Sequence, residues 1–90
     1  MKLELGKLVV TTNALRNGVT DEDIHFALDR HREGDWGNVD AHDKAANNAA
    51  LNEKDPQRVL SSYESLNGTK FWIITEWDRS VTTVLLPEDY

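Results

Sequence analysis

Apolar residues crowd the last third of the chain in short runs. "RVLSSYESL", "TKFWIITEW" and "SVTTVLLP" (58–66, 69–77 and 80–87) are rich in β-branched and aromatic residues, with turn-forming residues between them. Such runs predict three strands. Asn67-Gly68 lies between the first two, a strong short-range hairpin signal. A two-residue turn there pairs Tyr63 with Trp72 and Glu64 with Phe71. A second two-residue turn at Asp78-Arg79 pairs Glu76 with Val81 and Thr75 with Thr82. One face of the resulting β-meander carries Leu60, Phe71, Ile73, Val84 and Leu86. The other carries Tyr63, Trp72, Ile74 and Leu85. Neither face is plainly polar. Helices are therefore expected on one face, and aromatics, the N-terminal strand or a partner chain on part of the other.

Upstream the period changes. "LVVTT" at 8–12 reads as a short strand. "NALRNG" follows as a single helical turn, with Asn13 as its cap and Gly18 as its stop. Ile24, Ala27, Leu28 and His31 then recur at helical spacing behind a Thr20 cap and acids at 21–23, predicting a helix over 21–33. His31 ends the apolar face, so a half-buried imidazole is expected there. "GDWGNVD" is a loop in which glycines flank Trp36, whose ring either plugs the edge of the core or anchors a partner. A second helix starts at the Asp40 cap, with Ala45, Ala46, Ala49, Ala50 and Leu51 as its apolar side and Pro56 closing the segment. The fold expected is one α+β domain over 1–90: two helices on a three- or four-stranded, largely antiparallel sheet.

Charge adds an asymmetry. The chain has 90 residues and a net charge of −6, and all of the excess lies in 21–55, with ten acids against four bases. The rest holds six of each. Such a field repels nucleic-acid backbones and anionic lipids and attracts basic partners, and it also keeps helices soluble. Direct nucleic-acid binding is therefore not expected, whereas a basic protein partner is. Cysteine is absent, which excludes disulfides, thiolate metal sites and a Cys nucleophile. No apolar run approaches the roughly 20 residues that span a bilayer. "MKLELGKLVV" lacks the apolar core of a signal peptide, and a cytoplasmic location fits best.

The candidate chemistry is sparse. His25 and His31 are six residues apart and lie on different sides of one helix; only a set of His31, His42 and an acid could be imagined as a metal site, and no metal or cofactor is expected. Ser61, Ser62 and Ser80 lack a nucleophile-elbow context. Phosphate-cradling glycine motifs are missing. Asp35, Asp40 and Asp43 lack the alternation of a calcium loop. "EWDRS" at 76–80 has the position of a turn, with Arg79 able to pair with Glu76 or Asp78.

"GDWGNVDAHDKAAN" at 34–47 and "GTKFWIITEWDRSVTTVLLPEDY" at 68–90 together resemble a family of small, mostly uncharacterised bacterial proteins carried on plasmids, phages and other mobile elements. The matching features are Gly34-Asp35-Trp36-Gly37, Asp43-Lys44, Asn47, "WIITE", Asp78-Arg79-Ser80, the threonines at 82–83 and the ending Leu86-Pro87-Glu88-Asp89-Tyr90. The chain departs from the family pattern at Trp77, where a small residue is usual. Because the pattern includes the terminal residues, Tyr90 is expected to dock on the body near Trp36, or to serve as a short binding element. The resemblance implies a fold and a mobile-element context.

These readings converge on a non-catalytic accessory protein that binds a protein partner through an acidic helical face or the aromatic sheet face. A sharper version is a restriction or CRISPR inhibitor that mimics DNA. The candidate surface residues are Asp29, Glu33, Asp35, Trp36, Asp43, Trp72, Trp77 and Arg79. A homodimer is a further expectation. The competing class is a small hydrolase or nuclease-like toxin using Asp35, His42, Asp78 and Arg79.

Overall fold

The computed structural model describes residues 3–90. Met1 and Lys2, which open the stretch read above for a signal peptide, lie outside the described residues. In chain order the elements are β1 (Lys7–Val10), α1 (Thr12–Arg16), α2 (Asp21–Arg32), α3 (Ala41–Ala50), β2 (Val59–Glu64), β3 (Lys70–Thr75), β4 (Val81–Leu85) and a 3-10 turn (Pro87–Asp89). The fold is α+β. The sheet runs β1-β4-β3-β2, with β2, β3 and β4 an antiparallel meander and β1 parallel to β4. Among the described residues no helix is long and apolar enough to cross a membrane.

Local chemistry explains the helix starts. Thr20 and Asp23 form a reciprocal capping box on α2, and Asp40 accepts from the Asp43 N–H at the start of α3. The short α1 is capped by Thr11, whose hydroxyl accepts from Ala14 N, and not by Asn13. Asn13 lies inside that helix and donates to Asp89.

The first hairpin is one residue out of the expected register. Tyr63 faces Phe71 and Ser62 faces Trp72. Ser65 N donates to Thr69 O, so the loop holds three residues, Leu66 to Gly68. A two-residue type I′ turn needs positive φ at both of its central residues. Here only Gly68 has it, at 90°, while the Asn67 side chain is drawn to Asn17 O. A one-residue shift moves every side chain of β2 to the opposite face. Tyr63 therefore joins Phe71, Ile73, Val84 and Leu86 under α1 and α2, and Leu60 goes to the outer face. The β3–β4 register is the expected one, with Thr75 opposite Thr82.

A second apolar cluster gathers Leu3, Trp36, Ala50 and Val59. A polar seam runs between the two clusters. Ser61, Thr75 and Thr82 come from three adjacent strands, and His31 is fully buried against them rather than half-buried. Thr82 Oγ1 donates to Leu5 O (2.7 Å), so it accepts from Thr75 Oγ1 (2.8 Å). Thr75 then accepts from His31 Nε2–H (2.8 Å), leaving Nδ1 to accept from Ser61 Oγ (2.5 Å). The imidazole is thus neutral and fully satisfied, and burial, with Arg79 adding to it, brings its pKa down to about 4.

The α3 helix does not pack through an alanine face. Ala45, Ala46 and Ala49 are exposed, while Asn47 and Ala50 are buried. Asn47 bonds both backbone groups of Leu60 on β2. Next to it Ser62 N donates to Trp36 O (3.1 Å), and Asn38 N to Ser62 O (2.7 Å). Gly37 allows this approach, because its φ is 72° and a Cβ there would stand 2.0 Å from Ser62 O. The outer edge of β2 is closed by side chain and loop.

Candidate functional site

The turn between β3 and β4 borders a concave cleft. Arg79 N donates to Glu76 O (3.0 Å), placing Trp77 and Asp78 at the turn centre. Asp78 Oδ1 accepts from Ser80 N (3.1 Å) and Ser80 Oγ (2.6 Å), and the Ser80 hydroxyl holds its carboxyl below the usual range. Arg79 adopts the left-handed conformation, with φ 61°. That conformation is uncommon for a residue with a Cβ, and it sends the guanidinium back under the body. Its Nη1 donates to Gln57 O (2.7 Å) and Glu76 O (3.2 Å), and its Nη2 to Ala50 O (2.8 Å). Arg79 therefore pairs with neither Glu76 nor Asp78 through a carboxylate. It ties the end of α3 and the lead into β2 to the turn, and its desolvation lowers its pKa.

Beside this clamp lies a cleft of about 400 Å³ whose apolar walls are Leu3, Leu51 and Pro56. Leu3 is held there by its N–H, which donates to Arg32 O at 2.8 Å. Glu4, Glu53 and Asp78 line the same cleft with carboxylates. Trp77 stands at it with 60% of its surface exposed. A large ring beside an apolar hollow, with carboxylates around it, suits an apolar side chain flanked by cations.

The expected surface residues are dispersed. Trp77 and Arg79 meet at the cleft. Asp29 lies on the exposed side of α2, 3.8 Å from His25 Nε2, and Glu33 is exposed at the end of that helix. Asp43 is exposed in the first turn of α3. Asp35 is bonded by Arg30 through Nε (2.8 Å) and Nη2 (3.2 Å), which holds its carboxyl low. Trp36 is buried in the second cluster, donates to Asn48 Oδ1 (2.9 Å), and meets His31 edge-on at 5.6 Å, so it presents no surface to a partner. Trp72 lies on the outer sheet face with Tyr90 against it, ring centroids 6.0 Å apart. Arg58 bonds the Tyr90 hydroxyl and covers its ring, 5.1 Å from the centroid. Tyr90 docks on Trp72 and not near Trp36, so the chain's own tail covers the aromatic sheet face at that point.

Sequence reasoning missed Leu3, Glu4, Leu51, Glu53 and Pro56 as a group. Pro56 signalled only a helix stop, and no local pattern joins Leu3 to a turn in the last third. It also passed over Phe26, which is apolar yet off the Ile24–His31 face. Phe26 and Leu66 are exposed beside a smaller groove, about 280 Å³, between α2 and the first hairpin.

The toxin residues do not form one constellation. Asp35 is tied to Arg30, His42 is exposed on α3, and Asp78 and Arg79 are held in the turn. The Ser61–His31 pair resembles a nucleophile and base, but both residues are fully buried, where no substrate reaches them. Among the described residues no three His, Asp or Glu side chains are grouped to hold a metal ion. No protein family, curated protein or solved structure matches this chain.

Proposed function

We propose that this protein is a non-catalytic interaction protein that captures a basic segment of another protein in the Trp77 cleft. The observation that carries the reading is Trp77 itself, 60% exposed beside an apolar hollow lined by carboxylates. The Arg79 guanidinium there is occupied by backbone carbonyls, which leaves Glu4, Glu53 and Asp78 to meet the partner's charge. The segment that fits offers one apolar anchor between Lys or Arg residues. Anchoring aromatics of this kind dominate the energetics of small interfaces.

The accessory role on a mobile element, and inhibition of a host defence system as its sharper form, rest on the resemblance of 34–47 and 68–90 described above. A cytoplasmic location belongs to the same reading and rests on the lack of cysteine.

The test is affinity capture from the native host with the original chain and with Trp77→Ala, followed by titration of the captured partner. The substitution is expected to weaken binding by about 30-fold, the loss of one hot-spot side chain. A partner that binds Trp77→Ala undiminished overturns the reading.

A further inference from the structure

The two edges of the sheet are finished differently. The β2 edge is closed by Asn47 and the Trp36–Asn38 loop. Among the described residues the β1 edge has no such cover. Its residues Leu8 and Val9 are 45% and 39% exposed, no proline or bulge interrupts it, and its one charge, Lys7, stands at its start. Natural proteins usually blunt an edge of this kind. Lys7 N donates to Ser80 O (2.9 Å) and Thr11 N to Val84 O (3.0 Å), so the odd-numbered residues bond towards β4. Alternation along a parallel strand then turns the backbone groups of Leu8 and Val10 outward.

We infer that two copies of this chain pair through their β1 strands, antiparallel, about a twofold axis at Val9. In that register Leu8 of each copy faces Val10 of the other, and each facing pair exchanges both N–H···O bonds. Val9 faces its own counterpart as a non-hydrogen-bonded pair. The side chains agree with this arrangement. Leu8 and Val10 meet on the helix-bearing face, apolar against apolar. On the outer face Lys7 comes opposite Thr11 of the other copy. Asp89 accepts from Leu86 N (3.0 Å), from the Thr11 hydroxyl (2.8 Å) and from Asn13, and these bonds, Leu86 foremost, keep its carboxyl below the usual range. Each Lys7 thereby meets a carboxylate, twice by symmetry. The α1 helix packs on β4, and Lys7, Leu8 and Val9 of β1 are exposed. Pairing of this kind gives an isologous dimer with one continuous sheet across both copies, and it places the two Trp77 clefts outside the interface.

Sedimentation of the full chain from micromolar to millimolar concentration is expected to show a monomer–dimer equilibrium. Lys7→Glu puts like charges together at both symmetric positions and is expected to raise the dissociation constant about tenfold at low salt, and less at high salt. Leu8→Lys is expected to leave only monomer. The described residues hold no cysteine, so Val9→Cys places a unique thiol on the axis, where facing residues of a non-hydrogen-bonded pair are close enough to oxidise to a disulfide. It is expected to cross-link rapidly, whereas Leu15→Cys, exposed on α1, is not. Circular dichroism confirms that each variant is folded. A chain that stays monomeric throughout overturns the inference. So does a dimer indifferent to Lys7→Glu and Leu8→Lys, or equal cross-linking of the two thiol variants.

Discussion

The Asn47 side chain stands in for a missing strand beside Leu60. Its Nδ2 donates to Leu60 O (2.7 Å), and its Oδ1 accepts from Leu60 N (3.1 Å). An amide carries one donor group and one acceptor group in the spacing of a peptide unit, so one side chain satisfies both outward groups of an edge residue. Asn47→Ala removes both partners in a part-buried setting and is expected to destabilise the protein by about 2 kcal/mol. Asn47→Asp keeps the acceptor but faces Leu60 O with a carboxylate, so it should not restore stability at neutral pH. Urea denaturation of the three proteins measures both effects.

Acid should weaken the fold in a defined window. His31 titrates near 6.5 when unfolded and near 4 when buried. Between these values the unfolded chain binds the extra proton and the folded chain does not, so stability falls as pH drops from about 6.5 to about 4. The loss across the whole window is roughly 3 kcal/mol. Asp35 and Asp78, whose pKa values are lowered by Arg30 and Ser80, act below this window, since their contributions are lost only as pH falls through their depressed values. His31→Gln is expected to be less stable at neutral pH and to lack the slope between pH 6.5 and 4. Denaturation midpoints across that range test this.

Arg79 matters more than a turn residue would. Replacing Asp78-Arg79 by Asn-Gly suits the backbone, because Gly tolerates a φ of 61° without strain. It also strips the donors from Ala50 O and Gln57 O. Arg79→Ala and the Asn-Gly replacement are both expected to cost about 2–3 kcal/mol, with the Asn-Gly form slightly the more stable of the two. A replacement that melted like the original chain would show the clamp to be dispensable.

Two tryptophans should separate stability from binding. Trp36→Ala empties a packed site and is expected to cost about 3–5 kcal/mol. Trp77→Ala, on an exposed turn, should change stability by no more than about 0.5 kcal/mol while it weakens partner capture. Thermal melts alongside the capture assay distinguish the two.

The acidic helices provide a control. Asp29, Glu33 and Asp43 lie outside the Trp77 cleft. Their joint reversal to lysine is expected to slow association through the long-range field, an effect that shrinks as salt rises. It should not match the loss caused by Trp77→Ala. An equal or larger loss at high salt would move the contact to the helical face.

Local chemistry made parts of this fold readable in advance. The Thr20 cap, the Asn67-Gly68 turn position and the β3–β4 register each depend on neighbours in the chain. What escaped depends on distant groups. The hairpin register turned on whether Asn67 takes positive φ, and Asn67 is instead engaged by Asn17 across the α1–α2 connection. His31 ended an apolar face, which pointed inward, but its hydroxyl partners sit on separate strands. Asn47 lay among alanines that looked like the packing face. The cleft joins Leu3 to Trp77, a relation no periodicity reports.

The parallel pairing of β1 with β4 joins opposite ends of the chain, since Lys7 lies beside Val81. The β2–β3–β4 meander closes through short turns, while β1 must wait until the last strand exists. Loop closure over most of the chain is entropically costly, and non-local pairings of this sort slow folding. The meander is therefore expected to nucleate folding, with the first strand in sequence zipping last. By the same reasoning β1 is expected to be the first element to peel away in a single copy, before any pairing with a second. Its amides should exchange hydrogen through local opening, at Val9 sooner than at Ile73. Each opening bares one side of β4 for an instant.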